Sequence, residues 1–345
     1  MRAAICLKIQ EGSQVGEARR TAQALATSLG FSESEAGKVS IIVTEAASNL
    51  VKHAGPAGGE ILLQPVTVST VRGMDILALD RGPGIQSISQ SIRDGYSTAG
   101  TQGIGLGGIR RLSAEFDLYS QPGQGVALFS RVWAVAPPEP RSLPFQVGGL
   151  TVPMRGEVAC GDGWDYHLRP DGVLEIAVAD GLGHGLFASE AAQEALRVFR
   201  ERKGDELPTL LSRSNDALKK TRGAALALLK LDPKSKMIRY VGIGNIASAI
   251  VGSTKSQSLV SMNGIVGHEC RKIQEFSYAY ETGSLIIMHS DGLGSRWDLA
   301  SYPGIQNRNP VLIAGVLYRD FSRHRDDVTV VVARQELRRP GTLAA

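Results

Sequence analysis

Apolar residues recur at helical spacing in two early stretches of the chain, residues 17–29 and 34–51. In the second, Val39, Val43, Ala46 and Leu50 form a stripe that would face a core. An apolar run ending at Asp80 predicts a strand over 75–80, followed by a Gly-rich loop, a helix over 107–114 and strands within 116–132. Further on, the pattern predicts strands over 151–159 and 172–179 and helices between 186 and 221. β-Rich segments at 224–231, 237–243, 247–251 and 284–289, a helix over 310–322 and a strand over 328–333 complete it. Both halves mix helices and strands, so the expected fold class is a two-domain α+β chain without internal repeats.

Pro137, Pro138, Pro140 and Pro144 cluster between the halves. Proline lacks a backbone donor and pushes its predecessor towards extended structure, so the cluster reads as a linker. The expected domains are 1–134 and 149–337, with a linker at 135–148 and a tail at 338–345. A chain of 345 residues is long enough for two separate cores. Its net charge of +4 is small and dispersed, which leaves no nucleic-acid footprint. The amino terminus turns polar too early for a signal peptide, and no apolar run reaches membrane-spanning length. Cys6, Cys160 and Cys270 are scattered and odd in number, fitting neither a disulfide framework nor a zinc site, so a cytoplasmic location is expected.

Candidate chemistry begins on the second helix. Glu45, Asn49 and His53 are spaced i, i+4, i+8, which stacks them along one side with about 6 Å of rise between neighbours. A carboxylate and an amide on one ridge could serve as a general base and a Mg²⁺ ligand, and the same spacing also fits a solvated polar face. Asp80 then ends an apolar strand and opens Asp80-Arg81-Gly82-Pro83-Gly84, while Gly103, Gly105, Gly107 and Gly108 lead into a helix. Such glycines let backbone amides approach phosphate, and a helix start adds positive potential. Gly103–Gly108 satisfies G-x-G-x-x-G, but no strand leads directly into it, so a dinucleotide-binding reading lacks its context. No Walker A sequence is present, and a eukaryotic-type protein kinase is excluded by the missing strand lysine and D-F-G.

In order, these blocks resemble the N, G1 and G2 boxes of the GHKL ATPase superfamily. The likeness is to small anti-sigma-factor serine kinases of the RsbT type and covers about residues 15–132, with GLGGIRRLSAEF its most characteristic segment. The resemblance implies a GHKL-type α/β sandwich that binds ATP with Mg²⁺ through Asn49. It implies Glu45 as general base, Asp80 as the reader of adenine, and Gly82, Gly84, Gly103, Gly105 and Gly107 as the shapers of the nucleotide loops. The histidine-bearing dimerisation helix of sensor kinases is missing, so His53 is expected to be structural.

The second half repeats one theme. Asp162 in CGDGWD, Asp180-Gly181 in VADGLGHG, Asp291-Gly292 in HSDGLGS and Asp326-Asp327 in RDDVTVVV each border an apolar, strand-like run. One Asp-Gly alone is commonly a turn. Several carboxylates converging at one end of a sheet could hold two hard cations roughly 4 Å apart and activate water near neutral pH.

The set G-D-x-x-D, D-G-x-G-H-G, S-D-G and D-D-x-T resembles the PPM-type serine/threonine phosphatases, in the bacterial branch of the sporulation phosphatase and RsbX. The likeness spans about 150–335 and implies an α/β/β/α sandwich. By this resemblance Asp180 bridges two Mn²⁺ or Mg²⁺ ions, the Gly181 carbonyl joins them, Asp291 and Asp326 complete the second ion's shell, and Asp162 orients water. Asp165 and Asp327 are supporting acids. His184 reads either as a general acid or as a packed loop histidine. Arg155 is the nearest counterpart to the phosphate-holding arginine of larger relatives, and it matches poorly.

The expected function is a bacterial partner-switching regulator whose kinase-like and phosphatase domains act on STAS-domain antagonist proteins, with a sigma-factor regulator as a further partner. A phosphatase whose first domain only senses ATP or docks the partner, and a non-catalytic module that sequesters a sigma factor, remain alternatives.

Overall fold

The computed structural model describes residues 3–68, 70–91, 105–136, 144–252 and 255–336. The chain divides into two compact units, Met1–Pro140 together with Asp298–Asp320, and Arg141–Trp297 together with Phe321–Ala345. The two-domain α+β class expected from the sequence holds. No helix among the described residues is long and apolar enough to cross a membrane.

The first unit opens with β1 (Ile5–Ile9), α1 (Gly12–Ser28) and α2 (Glu33–His53). Ser32 caps α2 by accepting the Glu35 amide, with Glu33 and Glu35 in its first turn and Lys52 and His53 in its last, so charge matches the helix dipole at both ends. Ala18, Ala22 and Ala26, spaced i, i+4, give α1 a flat buried face. There follow β2 (Gly59–Val68), β3 (Val71–Asp80), a short α3 (Ile88–Ser91), α4 (Gly105–Leu112), β4 (Glu115–Ser120) and β5 (Val126–Trp133). The antiparallel sheet has the order β1-β2-β3-β5-β4.

The pattern does not predict β2, and Pro65 explains why, since proline cannot donate to a ladder. The β1 register covers only Gly59–Leu63, so Pro65 lies on a stretch of β2 open on that side.

The second unit holds β6 (Phe145–Val152), β7 (Asp162–Leu168), β8 (Leu174–Gly181), α5 (Leu186–Glu201), α6 (Leu207–Leu218), β9 (Ala224–Asp232), β10 (Met237–Ile243), β11 (Ala247–Val251), β12 (Ser256–Ser258), β13 (Phe276–Ala279) and β14 (Leu285–His289). After the excursion into the first unit, which contains α7 (Pro310–Phe321), the chain closes on β15 (Val328–Gln335). Its two antiparallel sheets run β13-β10-β9-β8-β7 and β12-β11-β14-β15-β6. Ala192, Leu196 and Phe199 of α5 and Leu207, Leu211 and Leu218 of α6 pack with β8 to β10 in one cluster. The strand expected over 151–159 ends at Val152, because Pro153 follows and the chain turns into a loop.

Within the second domain expected at 149–337, the segment Asp298–Asp320, which carries most of α7, groups with the first unit. Every residue from Pro310 to Arg319 is buried, the mark of a helix that is apolar all round. Within the first unit, Met74, Ile76 and Ala78 of β3 join the core under α1 and α2, while Leu77 and Leu79 face α7. A Cβ at Gly315 would lie 2.5 Å from the Leu77 side chain, so glycine lets the helix approach. Polar bonds fix its ends. Asp117 accepts the Asn309 amide at 2.7 Å, and the Arg319 guanidinium donates to the Asp80 carbonyl at 3.1 Å. Two-sided burial is why residues 76–79, ILAL, are continuously apolar rather than alternating.

One charged group ties three strands of this sheet together. Arg131 of β5 lies opposite Asp75 of β3 and Glu115 of β4, donating to them at 2.8 and 3.0 Å. The Arg131 and Asp75 side chains are only 12% and 1% exposed. Replacing Arg131 by Leu leaves a buried carboxylate without its cation, and should cost about 3–5 kcal/mol in denaturant unfolding. A loss below about 1 kcal/mol, the scale of an exposed pair, would contradict this.

Candidate functional sites

In the first unit, α2 presents Glu45 and Asn49, both half-buried, one turn apart on the same side. Glu45 Oε2 accepts the amide of Gly105, the first residue of α4, at 3.3 Å. That contact joins positions 60 residues apart, and Gly107 lies buried on the α4 turn that follows. Asp80 ends β3 nearly buried, and its Oδ1 accepts the Gly82 amide at 2.7 Å and the Val126 amide at 3.3 Å. Burial raises its carboxyl pKa, and those two amides work against the rise. Oδ2 takes part in neither bond and is suited to accept from an amino group. Gly84 lies in the loop after β3, where the neighbouring Pro83 carbonyl accepts the Gly123 amide at 2.8 Å. Gly103 lies outside the described residues. His53 is exposed in the last turn of α2.

In the second unit the four expected acids come from strand ends that adjoin. Asp162 begins β7 and lies directly opposite Asp180 on β8. Asp291 follows β14, and Asp326 precedes its antiparallel neighbour β15. Ser290 links the two sheets, donating to Asp162 Oδ2 at 2.5 Å while its oxygen accepts the Thr329 amide at 2.9 Å.

Crowding shows in the electrostatics. Burial, then the charges of Asp291 and Asp326, push the Asp180 carboxyl up to about 7. Burial and the Asp180 charge likewise raise Asp162, against the Ser290 bond. Burial followed by Asp291 raises Asp326.

Such a set of hard oxygen donors with excess negative charge fits Mg²⁺ or Mn²⁺. Among the described residues, no three His, Cys, Asp or Glu side chains are gathered closely enough to cage an ion as they stand. Asp291 Oδ2 instead accepts from Asn245 at 2.6 Å, and Asp326 Oδ1 accepts the Asp327 amide at 2.9 Å.

Close backbone approaches build the site. A Cβ at Gly181 would lie 2.0 Å from the Ala188 carbonyl, and one at Gly292 would lie 1.9 Å from the Asp327 carbonyl. The chain leaves and re-enters this unit through paired bonds, Gly294 to the Phe321 carbonyl at 2.8 Å and Arg323 to the Gly292 carbonyl at 2.9 Å. These bonds hold Asp291 and Asp326 near each other despite the intervening excursion.

The other sequence candidates have different work. Asp327 is buried and clamps the loop before Asp162, accepting Met154 and Gly161 amides at 2.6 and 2.7 Å. Asp165 pairs with Arg200 of α5 at 2.7 Å. His184 Nδ1 lies 2.7 Å from Glu157 in an exposed pair. Sequence reasoning misses Asn245 and Ser290. Asn245 follows β10 in G-I-G-N, which reads as a turn, while Ser290 stands beside Asp291 in the S-D-G motif.

Residues 10–129 match the family described as the histidine kinase-like ATPase domain, and residues 170–336 match stage II sporulation protein E. The serine/threonine-protein kinase RsbT of Bacillus subtilis (strain 168) is 34% identical over 128 residues, covering 37% of this chain and 95% of that protein. The phosphoserine phosphatase RsbX of the same organism is 30% identical over 140 residues, covering 40% of this chain and 69% of that protein. A solved structure from work on the bacterial stressosome, described as a modular system adapted to control secondary messenger signalling, is 29% identical with a TM-score of 0.51, covering 55% of this chain and 99% of its own. With nearly all of one relative and more than two thirds of the other covered, the chain belongs to the RsbT-type histidine kinase-like ATPases through its first domain and to the RsbX-type phosphatases through its second.

Proposed function

We propose that this protein is a cytoplasmic partner-switching regulator that both adds and removes phosphate at serine on small STAS-type antagonist proteins. The observation that carries the phosphatase half is the convergence of Asp162, Asp180, Asp291 and Asp326 at adjoining sheet ends, in a domain related to a phosphoserine phosphatase.

Asp180, the Gly181 carbonyl, Asp291 and Asp326 would hold Mg²⁺ or Mn²⁺, which when bound supplies a water activated near neutral pH. Asn245 engages Oδ2 of Asp291, which leaves Oδ1 for the ion. Asp162, braced by Ser290, orients the attacking water. A phosphoserine carries a charge near −2, and its removal changes which surface the antagonist can meet.

The kinase half rests on the likeness to RsbT and on the meeting of Glu45 with the start of α4. Asn49 would hold the Mg²⁺ of ATP, Asp80 Oδ2 would accept the adenine amino group, and Glu45 would take the serine proton. Gly82, Gly84, Gly105 and Gly107, with Gly103, would line the nucleotide loops. A domain that only senses ATP is the second reading, favoured by the engagement of Glu45 with Gly105 rather than with an open face.

Asp180→Ala should abolish Mn²⁺-dependent phosphate release from a phosphoserine antagonist, and chelation should do the same to the unmodified protein. Near-normal turnover in the variant would remove the assignment.

For the kinase, Asp180→Ala protein with labelled ATP and a STAS partner should accumulate phosphoserine. Adding Glu45→Ala should cut that rate roughly 10²–10⁴-fold while ATP still binds, and adding Asn49→Ala should weaken ATP binding itself. If none of these proteins labels a partner although ATP binds, the domain is a sensor.

A further inference from the structure

The acids of the phosphatase site account for metal and water but leave the substrate phosphate without a cation of the protein's own. One arginine outside every motif is placed for that task. Asp180 and Gly181 at the end of β8 pair with Ala225 and Ala224 at the start of β9. The turn just before β9 carries Arg222, and the Gly223 carbonyl of that turn accepts the Leu182 amide at 3.0 Å. Arg222 is thus tied by backbone to the loop that bears Asp180.

Its guanidinium is aimed back over this loop. A Cβ on Gly183 would lie 3.2 Å from Arg222 Nη1, and the guanidinium carbon sits 5.1 Å from the centre of the Phe187 ring. Arg222 is exposed and pairs with no carboxylate among the described residues. Stacking on an aromatic face pre-orients a guanidinium and leaves its edge N–H groups free for an anion. Arg155, Arg323 and Arg325 are also exposed near these loops, but none of them has an aromatic platform among the described residues.

Exposed apolar side chains stand beside Arg222, on a loop that also carries His184, paired with Glu157. Leu182, Leu186 and Phe187 are 40%, 64% and 58% exposed, at the very loop and helix start that follow Asp180. Large apolar side chains left in water beside an unpaired cation suit a ligand with both features. A phosphoserine within a protein segment has them: a dianion for the guanidinium, and flanking side chains for the ledge.

We propose that Arg222, held on Phe187, binds the phosphate of the substrate, and that the Leu182–Leu186–Phe187 ledge receives the protein segment bearing it. This rests on the phosphatase reading above. It assigns to Arg222 the role that Arg155 matched poorly by sequence.

The test uses the full chain with Mn²⁺, p-nitrophenyl phosphate, a phosphoserine peptide with apolar flanks, and inorganic phosphate as inhibitor. Arg222→Ala should raise KM for both substrates and the inhibition constant of inorganic phosphate by about 10- to 100-fold, the scale of a lost charge-assisted bond. Its melting temperature should stay within a degree or so, because the side chain is exposed. Arg222→Lys should recover only part of the loss, since an ammonium lacks the planar fork. Leu186→Ser should raise KM for the peptide more than for p-nitrophenyl phosphate. An active wild type whose phosphate inhibition constant is unmoved by Arg222→Ala would overturn the proposal. A wild type inactive on both substrates would overturn the phosphatase reading, and this proposal with it.

Discussion

Four carboxylates that repel one another must be kept together at the ends of two sheets, and much of the second unit is arranged around that constraint. Asp162 and Asp180 stand directly opposite on paired strands, an arrangement that destabilises a sheet when both are charged. Burial sharpens the repulsion by removing solvent screening. The fold offsets it with neutral donors rather than with cations: Ser290 to Asp162, Asn245 to Asp291 and the Asp327 amide to Asp326. No arginine or lysine forms an ion pair with Asp162, Asp180, Asp291 or Asp326 among the described residues. Acids left without an ion-paired protein cation are suited to the mobile one proposed for them.

The same loops join chemistry to architecture. Asp327 spends both of its oxygens on the loop that delivers Asp162, so the second acid of the D-D pair fixes the loop before β7 while its neighbour is the acid proposed to meet the metal. The bonds between Gly292–Gly294 and Phe321–Arg323 close the base of the segment that departs to the first unit. That segment ends in the first unit with Arg319 on the Asp80 carbonyl, next to the carboxylate proposed to read adenine.

Much of this was legible in the sequence because the chemistry sits at strand ends, where apolar runs stop at an acid followed by glycine. Asp80, Asp180 and Asp291 stand at such ends, while the helical spacing of Glu45 and Asn49 fits a solvated face as well, so that their proposed roles rest on the family resemblance. What was not legible depends on contacts between distant segments. Asn245 looks like any turn asparagine until β14 brings Asp291 beside it, and Arg222 looks like a solvated charge until Phe187 lies under it. Helix α7 announced through its apolar circumference that it is buried, but not that β3 is what it lies against within its unit.

The most direct test of the central claim is the unfolding of the nucleotide-free chain, followed by calorimetry with and without Mn²⁺. The account predicts that Mn²⁺ raises the transition of the second unit, by about 2.7 kcal/mol of stability when free metal is about 100 times its dissociation constant. Asp180→Asn should remove this response and leave the metal-free protein no less stable than the wild type, because one of the repelling charges is gone. A wild-type transition that does not move in millimolar Mn²⁺, or an Asp180→Asn protein stabilised by the metal as strongly as the wild type, would contradict the account.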